Sequence, residues 1–407
     1  MGEATSGGPA KAPRLPANVL ALATVSFLTD VATEMAYPLL PVFLSAVLKV
    51  SATSVGAIEG AAESTAAILK LVSGWWSDRV SRRKPLVVWG YGLASAIRPL
   101  VGLAQSFSQV LAIRVTDRVG KGIRSSARDA LIADSVDPRF RGRAFGFHSA
   151  GDNAGAMLGP LIAFALLRWQ GLNLRQVFLW TAVPGALAML VLILWVREVP
   201  RSAESAKPKV GRLEGRFEGK MGGRFWGFLG VLVLFTLGNS TDAFLLLRAN
   251  QLGVATALIP IIWAVLNVVK AVTNTPGGIL SDRLGRKPLI VAGWLVYAAV
   301  YFAFARAHAA WQAWALFAAY GLYFGLTEGV QNALVADLVP ATRRGAAFGW
   351  YNLAIGIAAL PASLLFGAVW DRWGSPAAFQ MGALIALVAA VGMAVVAPGR
   401  RALPSGS

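Results

Sequence analysis

Residues 74–85 read GWWSDRVSRRKP, and residues 278–288 read GILSDRLGRKP. Both stretches follow an apolar run and present a glycine, an Asp-Arg pair, a cluster of cations and a proline in the same order. Asp78 and Asp282 hold matching places and are 204 residues apart in a chain of 407 residues. A motif that returns after half the chain length indicates an internal repeat.

A second echo supports the repeat. The sequence Ala-Asp at 133–134, with Arg-Gly and Ala-Phe-Gly following in 141–146, returns at 336–337 and 344–349 with an offset of 203. Two echoes at nearly one offset predict that a single unit was duplicated.

The composition indicates a chain whose main solvent is lipid. Hydrophobic residues make up 56% and charged residues 14%, whereas soluble domains carry roughly 25% charged residues. The chain has no Cys, which excludes disulfides, thiolate metal sites and a Cys nucleophile. Its two histidines, His148 and His308, are far apart in sequence. We therefore expect no metal site and no cofactor.

Apolar runs long enough to cross about 30 Å of hydrocarbon recur along the whole chain. They predict an all-α membrane protein with 12 transmembrane helices, arranged as two six-helix bundles that are related by a pseudo-twofold axis along the membrane normal. The predicted spans lie near 17–45, 54–75, 85–105, 108–132, 143–168, 176–196, 225–248, 256–277, 288–307, 311–335, 345–370 and 376–397.

The distribution of cations predicts the orientation of these spans. Nearly all Lys and Arg residues outside the apolar runs fall on one side, whereas the other side holds only Lys49, Arg168, Arg175, Arg306 and Arg372. By the positive-inside rule the cation-rich side is cytoplasmic, so both termini are expected in the cytoplasm. The high content of Ala, Gly and Arg and the compact loops are typical of bacterial proteins, so we expect a multi-pass protein of the cell (inner) membrane. The net charge of +18 is then mostly topogenic, and no nucleic-acid partner is expected.

These spans divide the chain into five predicted parts. They are a cytoplasmic tail, a first six-helix bundle, a basic cytoplasmic linker, a second six-helix bundle and a second tail, at 1–16, 17–196, 197–223, 225–397 and 398–407. The linker is rich in Lys, Arg, Glu, Gly and Pro, a composition typical of flexible connections.

The repeated loop resembles the G-x-x-x-D-R-x-G-R-K motif of the major facilitator superfamily, with Ser81 where that motif has glycine. The resemblance covers nearly the whole chain and implies a monomeric secondary transporter. It also implies a gate on the cytoplasmic side, in which Asp78 and Asp282 pair with Arg groups or helix N-termini of the neighbouring bundle. The alternative is that these loops only enforce topology. The gating residues would be Gly74, Asp78, Arg79, Arg82, Arg83, Gly278, Asp282, Arg283, Gly285, Arg286 and Lys287.

The predicted fourth span carries six charges within an arc of roughly 120°. They are Arg114, Asp117, Arg118, Lys121, Arg124 and Arg128. Charges are costly at mid-bilayer, so this stripe is expected to face a cavity or acidic residues of other spans. The stretch from Arg114 to Gly120 is similar to the superfamily motif R-x-x-Q-G-x-G, which implies a proton-transfer role for Arg114, although Asp117 and Arg118 replace Gln-Gly. Arg124 and Arg128 have the alternative of snorkelling to the cytoplasmic edge.

Other spans of the first bundle add the acids of a candidate network. We expect Asp30, Glu34, Glu63 and Asp152 to pair with Arg98, Arg114, Arg118 and Lys121, either as a switch or as static contacts between helices. Glu59 is expected near the outer surface. The proton-coupling candidates are Asp30, Glu34, Glu63, Asp117, His148, Asp152 and Asp242.

The second bundle carries fewer charges and more hydrogen-bonding groups. Together with the cations above, they give a candidate substrate cavity of Arg98, Arg114, Arg118, Lys121, Asn239, Asn267, Lys270, Tyr320, Tyr323 and Gln331. For the Tyr and Asn members, ordinary packing remains the alternative.

No phosphate-binding loop is present, so transport would draw on an ion or substrate gradient. The partners expected are the lipid bilayer, protons and a small molecule, which the cationic stripe suggests carries an anionic group. Gly155-x-x-x-Gly159-Pro160 resembles the fifth-span motif of drug:proton antiporters, although small residues at this spacing also pack helices closely. We therefore predict a proton-coupled exporter. The alternatives are an importer or uniporter of an organic anion, metabolite or siderophore, and a transport-inactive sensor. No catalytic constellation indicates an enzyme.

Overall fold

The computed structural model describes residues 15–77, 80, 82–137, 140–199, 221–340 and 343–396. We call 15–199 the first half and 221–396 the second half. Asp78, Arg79 and most of the predicted linker lie outside the described residues.

Within the described residues the regular structure is helical. The helices are α1 (Ala17–Ala36), α2 (Ala52–Ser77), α3 (Lys84–Ile97), α4 (Phe107–Asp134), α5 (Arg141–Arg168), α6 (Leu174–Trp180), α7 (Ala182–Trp195), α8 (Gly223–Gly238), α9 (Ala243–Gln251), α10 (Ile259–Leu284), α11 (Arg286–Arg306), α12 (Ala310–Leu338) and α13 (Arg344–Val396).

Several predicted spans are interrupted helices. After α1 the chain continues through a 3-10 turn at Tyr37–Leu39 and a π-helical stretch at Phe43–Val47, because Pro38 and Pro41 cannot donate backbone hydrogen bonds. The long helix α13 is broken at Gly374, where φ is +86°, a conformation that glycine adopts without strain.

Eight helical segments of the described chain are long and apolar enough to cross a membrane. The segments that fall short of this criterion include α2, α4 and α12, each of which has 26 to 29 residues. At 1.5 Å per residue they are about 40 Å long, enough to span the hydrocarbon. Charged side chains at their centres lower their apolar character in α2 and α4. The structure is thus a multi-pass helical membrane protein, and the count of twelve spans stays a prediction.

Close approach of glycines fixes the contact between α1 and α5. A Cβ at Gly155 would lie 2.6 Å from the Phe27 carbonyl oxygen, and one at Gly159 would lie 2.7 Å from that of Val31. Only glycine permits this approach, so the packing role of the Gly155-x-x-x-Gly159 motif is built into the fold.

The internal repeat is visible as two equivalent ion pairs. Arg83 at the start of α3 pairs with Asp134 at the end of α4. In the second half Arg286 at the start of α11 lies 3.4 Å from Asp337 at the end of α12. Both members shift by 203 residues, so each half carries the same tie between its third and fourth spans.

These two Arg–Asp ties mark one face of the bundle, which we call the basic side. The opposite side carries the turns near residues 48–51, 252–255, 307–309 and 374. There Asp371 accepts hydrogen bonds from the backbone N–H of Ala52 and Thr53, both at 2.8 Å, and from Thr53 Oγ1 at 2.6 Å. This Asp371 cap satisfies free N–H groups at the start of α2 and joins the two halves.

Candidate functional site

A cavity of about 680 Å³ lies between the two halves. It is within the size range of pockets that bind small molecules. Helices α1, α2 and α4 line it from the first half together with Arg98, which follows α3, and α8, α10, α12 and α13 line it from the second. Its charged or strongly polar lining residues include Asp30, Glu34, Glu59, Glu63, Lys70, Arg98, Asp117, Arg118, Lys121, Arg124, Asn239, Asp242, Lys270, Tyr320, Tyr323 and Gln331.

The charged stripe of α4 faces protein and cavity. Arg114 forms a bidentate ion pair with Glu59 of α2, with Nε–Oε1 at 2.9 Å and Nη2–Oε2 at 2.8 Å. Arg98, in the 3-10 turn that follows α3, donates to Asp117 at 2.7 Å. Arg118 pairs with Glu63 of α2 at 3.0 Å. Ion pairing of this kind makes charges tolerable within a membrane protein.

Asp117 is the centre of this group. Besides Arg98, its carboxylate has Arg114 at 3.8 Å and Arg118 at 3.9 Å. One buried acid therefore holds three guanidinium groups together, and the surplus of positive charge remains beside the cavity.

Glu59 is buried, with only 1% of it exposed, and lies two turns inside α2, opposite Arg114. Its expected place near the outer surface stays a prediction, whereas the snorkelling expected for two arginines of the stripe is wrong. Arg124 does not snorkel to the edge, since its guanidinium carbon lies 4.3 Å from the centre of the Tyr91 ring. Arg128 likewise turns inward and donates to Ser26 and Asp129 at 3.0 and 2.9 Å.

The expected acid–cation network forms only in part. Glu63 makes its ion pair, but no cation among the described residues lies within 4 Å of Asp30 or Glu34. Glu34 instead accepts a hydrogen bond from Trp263 Nε1 of the second half at 2.7 Å. Asp152 lies 3.4 Å from His148, one turn away on α5, and neither lines the cavity.

Lys121 stands apart from the arginines of α4. Its side chain is exposed to the cavity, and no carboxylate of the described chain lies within 4 Å of its ammonium group. Buried N–H groups without an acceptor point to the same surplus of donors: Nε of Arg118 and Nη1 of Arg124 have no partner, and each residue is at least 95% buried.

The wall of the second half is built around a break between α8 and α9. Residues 239–242 are not helical, and Asn239 donates to the Tyr323 hydroxyl at 3.4 Å. Tyr320 donates to Asp242 at 2.8 Å. Lys270 pairs with Glu328 at 3.0 Å.

Of the two remaining residues predicted for this wall, one lines the cavity and the other does not. Gln331 lines the cavity and accepts from the Tyr351 hydroxyl at 2.9 Å. Asn267 does not line it, and its amide nitrogen is buried without a hydrogen-bond partner among the described residues.

Three of the predicted gating residues, Arg83, Asp282 and Arg286, form ion pairs within their own half. Asp282 accepts a hydrogen bond from Arg286 Nη1 at 2.5 Å, one turn away, and no ion pair joins Asp282 to the described residues of the first half. Gly285 has φ +96° and forms the turn between α10 and α11. Arg82 is exposed. Gly74, Gly278, Arg283 and Lys287 lie on or next to the same two loops.

Three residues of the site were missed by sequence reasoning. Glu59 lies one turn from Glu63, so their shared face of α2 was a usable signal. Trp263 is one of 14 tryptophans, and nothing in the pattern marks it. Asp371 sits at the end of an apolar run, where an acid is normally a solvated group.

A helical bundle with membrane-spanning segments around a polar cavity shared by two halves defines a multi-pass membrane transporter. The profile of the Major Facilitator Superfamily matches residues 22–268 and 227–407. The chain belongs to this superfamily and is a transporter of small substrates.

Relatives of known sequence agree with this assignment. The chain is 33% identical over 381 residues to an uncharacterized MFS-type transporter of Methanocaldococcus jannaschii, covering 92% of this chain and 93% of the relative. It is 26% identical over 397 residues to the multidrug resistance protein MdtG of Enterobacter lignolyticus, with coverage of 93% and 92%.

A solved structure agrees on the fold. A bacterial homolog of the human lysosomal transporter Spinster, in an inward-facing and unoccupied conformation, superposes with a TM-score of 0.69. It shares 19% identity, and the match covers 95% of this chain and 96% of that one.

Proposed function

We propose that this protein moves a small organic molecule with an anionic group across the inner membrane by alternating access. The observation that carries the proposal is the cationic wall of α4. Lys121 is open to the cavity without a carboxylate within 4 Å, and buried N–H groups of Arg118 and Arg124 lack acceptors. An anionic group bound at Lys121 would compensate the positive charge of this wall.

The proposal includes the wider architecture predicted from the sequence. Twelve spans form two six-helix bundles, at 17–196 and 225–397, and the protein works as a monomer with both termini in the cytoplasm. The Asp371 cap and the Glu34–Trp263 hydrogen bond close the side opposite the basic loops. With the basic side cytoplasmic, this conformation is inward-facing.

Proton coupling would use carboxylates that line the cavity without a cation. Asp30, Glu34 and Asp242 meet this condition. Protonation would change the charge of the cavity without breaking an ion pair, so it can bias the two states of the transporter. The similarity to a multidrug resistance protein supports efflux as the direction, with protons entering as the substrate leaves.

Uptake with protons is the second candidate. Asp30 and Glu34 lie close enough to Lys121 to interact with it electrostatically. Protonation of these acids would make the surroundings of Lys121 more positive and so favour an anion. An anion and a proton that bind together are carried in the same direction, as in symport.

The first experiment is untargeted profiling of medium and cytosol from cells that express the wild type or Arg118→Ala at matched levels. A compound enriched in the medium only with the wild type supports efflux, and one enriched in the cytosol supports uptake. The compound is then followed in proteoliposomes under an imposed pH gradient. Movement of the compound in the direction opposite to the proton flow confirms antiport, and movement in the same direction as the protons confirms symport. A wild-type protein that moves nothing in either assay contradicts the proposal.

A further inference from the structure

Each half presents to the cavity a charged group of opposite sign: Lys121 from the first half, beside the acids Asp30 and Glu34, and Asp242 from the second half, near Lys270. The α4 wall belongs to the first half and presents Lys121, which has no carboxylate within 4 Å among the described residues. The wall at the break between α8 and α9 belongs to the second half and presents Asp242, which has no cation within 4 Å in the same part of the chain.

The charged groups near Lys121 and at Asp242 are held in place by neighbouring residues but can still bind a ligand. Arg118 is fixed by Glu63 at 3.0 Å, yet its Nε is buried without an acceptor, so the surroundings of Lys121 offer further donors. Asp242 receives one hydrogen bond, from Tyr320 at 2.8 Å, which leaves its other oxygen free for a donor. An ionised carboxylate accepts more than one hydrogen bond, so this site is not yet saturated.

The surface between the charged groups is aromatic. The rings of Tyr320 and Tyr323 stack with centres 5.6 Å apart, and Phe324 packs against both. On the other side the rings of Tyr37 and Trp263 lie 5.1 Å apart. Aromatic rings that line a cavity in this way favour a ligand with a flat, apolar ring.

We infer that the substrate is a zwitterion built on a flat ring, with its acidic group at Lys121 and Arg118 and its ammonium group at Asp242. This inference rests on the proposed function and names the class of molecule that the same cavity takes. A ligand of this kind contacts both halves at once, so it can stabilise one arrangement of the halves over another.

Binding of an ammonium group at Asp242 would affect how substrate transport is coupled to protons. A proton and an ammonium group exclude each other at one carboxylate, and mutual exclusion is what exchange requires. The inference therefore favours antiport over symport. The charged and titratable groups near Asp242 that would share this competition are Tyr37, Glu63, Lys270, Tyr297, Tyr301, Tyr320 and Tyr323.

The test uses three probes with one ring and different charges: 4-(aminomethyl)benzoate, 4-methylbenzoate and 4-methylbenzylamine. Binding to the purified full chain in detergent is measured by calorimetry or by ligand-induced thermal shift. We expect the zwitterion to bind about tenfold or more tightly than either singly charged probe, because each lost charge contact leaves a buried partner unpaired.

Three variants, two at Asp242 and one at Lys121, test which end of the probe each residue binds. Asp242→Asn should abolish the preference over 4-methylbenzoate, and Asp242→Glu should restore part of it. Lys121→Gln should abolish the preference over 4-methylbenzylamine. Arg306→Gln, an exposed cation outside the cavity, is the matched control and should leave all three affinities unchanged.

Every other result overturns the inference. Equal binding of 4-methylbenzoate and the zwitterion means that the ammonium end is not recognised, while the proposed transport of an anion stands. Equal binding of 4-methylbenzylamine and the zwitterion means that the acidic end is not recognised, so the proposed function, which requires an anionic group, fails together with the inference. If none of the probes binds at millimolar concentration, the ring-based zwitterion is wrong, and the flux of the profiled compound still decides the proposed function independently.

Discussion

Arg114 and Glu59 face each other through two parallel hydrogen bonds, at 2.9 and 2.8 Å, and neither residue is more than 5% exposed. A buried, bidentate pair of this kind is costly to break, because removing one partner leaves an uncompensated charge. It joins α2 to α4 in the region where the cations and acids of the first half meet.

We expect Glu59→Gln to lower the stability of the protein in detergent by about 3–5 kcal/mol, the usual cost of leaving one buried charge unpaired. The measurement is thermal or denaturant unfolding of the purified protein. The double variant Glu59→Gln/Arg114→Gln should recover part of the loss. Glu328→Gln is the control, since its pair with Lys270 is half exposed and worth less than about 1 kcal/mol. A Glu59→Gln protein as stable as the wild type would contradict this prediction.

Arg118→Ala should impair transport more than Arg124→Ala at equal membrane expression. Arg118 pairs at 3.0 Å with Glu63, which faces the cavity, whereas Arg124 packs against the Tyr91 ring and acts mainly in the contact between helices. Transport of the profiled compound in proteoliposomes is the readout. Equal activities of the two variants would show that the α4 cations do not contact the substrate.

Removal of the Asp371 cap should open the side of the molecule opposite the basic loops. Asp371→Ala leaves two backbone N–H groups at the start of α2 without their acceptor and breaks a contact between the halves. The chain lacks cysteine, so spin labels can be attached at Lys49→Cys and His308→Cys without further changes.

We expect the label-to-label distance distribution to shift to longer values in Asp371→Ala. Arg372→Ala, at the neighbouring position and outside the cap, should keep the wild-type distribution. Identical distributions for Asp371→Ala and the wild type would show that other contacts hold this side closed.

Trp263→Phe tests the second contact that closes this side. The substitution keeps an aromatic ring against Tyr37 but removes the N–H that donates to Glu34 at 2.7 Å. A hydrogen bond to a charged group is worth about 1.5–3 kcal/mol, so the population of the open state should rise by roughly tenfold or more. The same spin-label pair measures it, and a change no larger than that of Arg372→Ala would exclude a role in closure.

The positions of the helices could be predicted from the sequence because apolar runs and cationic loops alternate clearly along the chain. The observed α5 ends at Arg168, as predicted, and α10 runs to Leu284, further than predicted, because Gly285 rather than polarity ends it. Whether twelve helices cross the membrane is not decided by helix bounds, since α2 and α4 carry charges at their centres.

The partners of the charged side chains could be predicted much less well. Helical periodicity gives the face on which Arg114 or Glu63 lies, but not which residue of another helix stands opposite. Asp30 was expected to bind a cation and lies beside the cavity without one. Glu34 was expected to do the same and instead accepts a hydrogen bond from Trp263 of the other half, and helical periodicity says nothing about contacts between halves.

The two Arg–Asp ties carry a consequence for the ancestry of the chain. Arg83–Asp134 and Arg286–Asp337 lie each within one half, so neither half depends on the other for this bond. An ancestor with a single copy would already have possessed it and could have worked as a pair of identical subunits before gene fusion. The present chain should accordingly tolerate being cut in two: fragments 1–210 and 211–407, made separately in one cell, should find each other and rebuild the transporter.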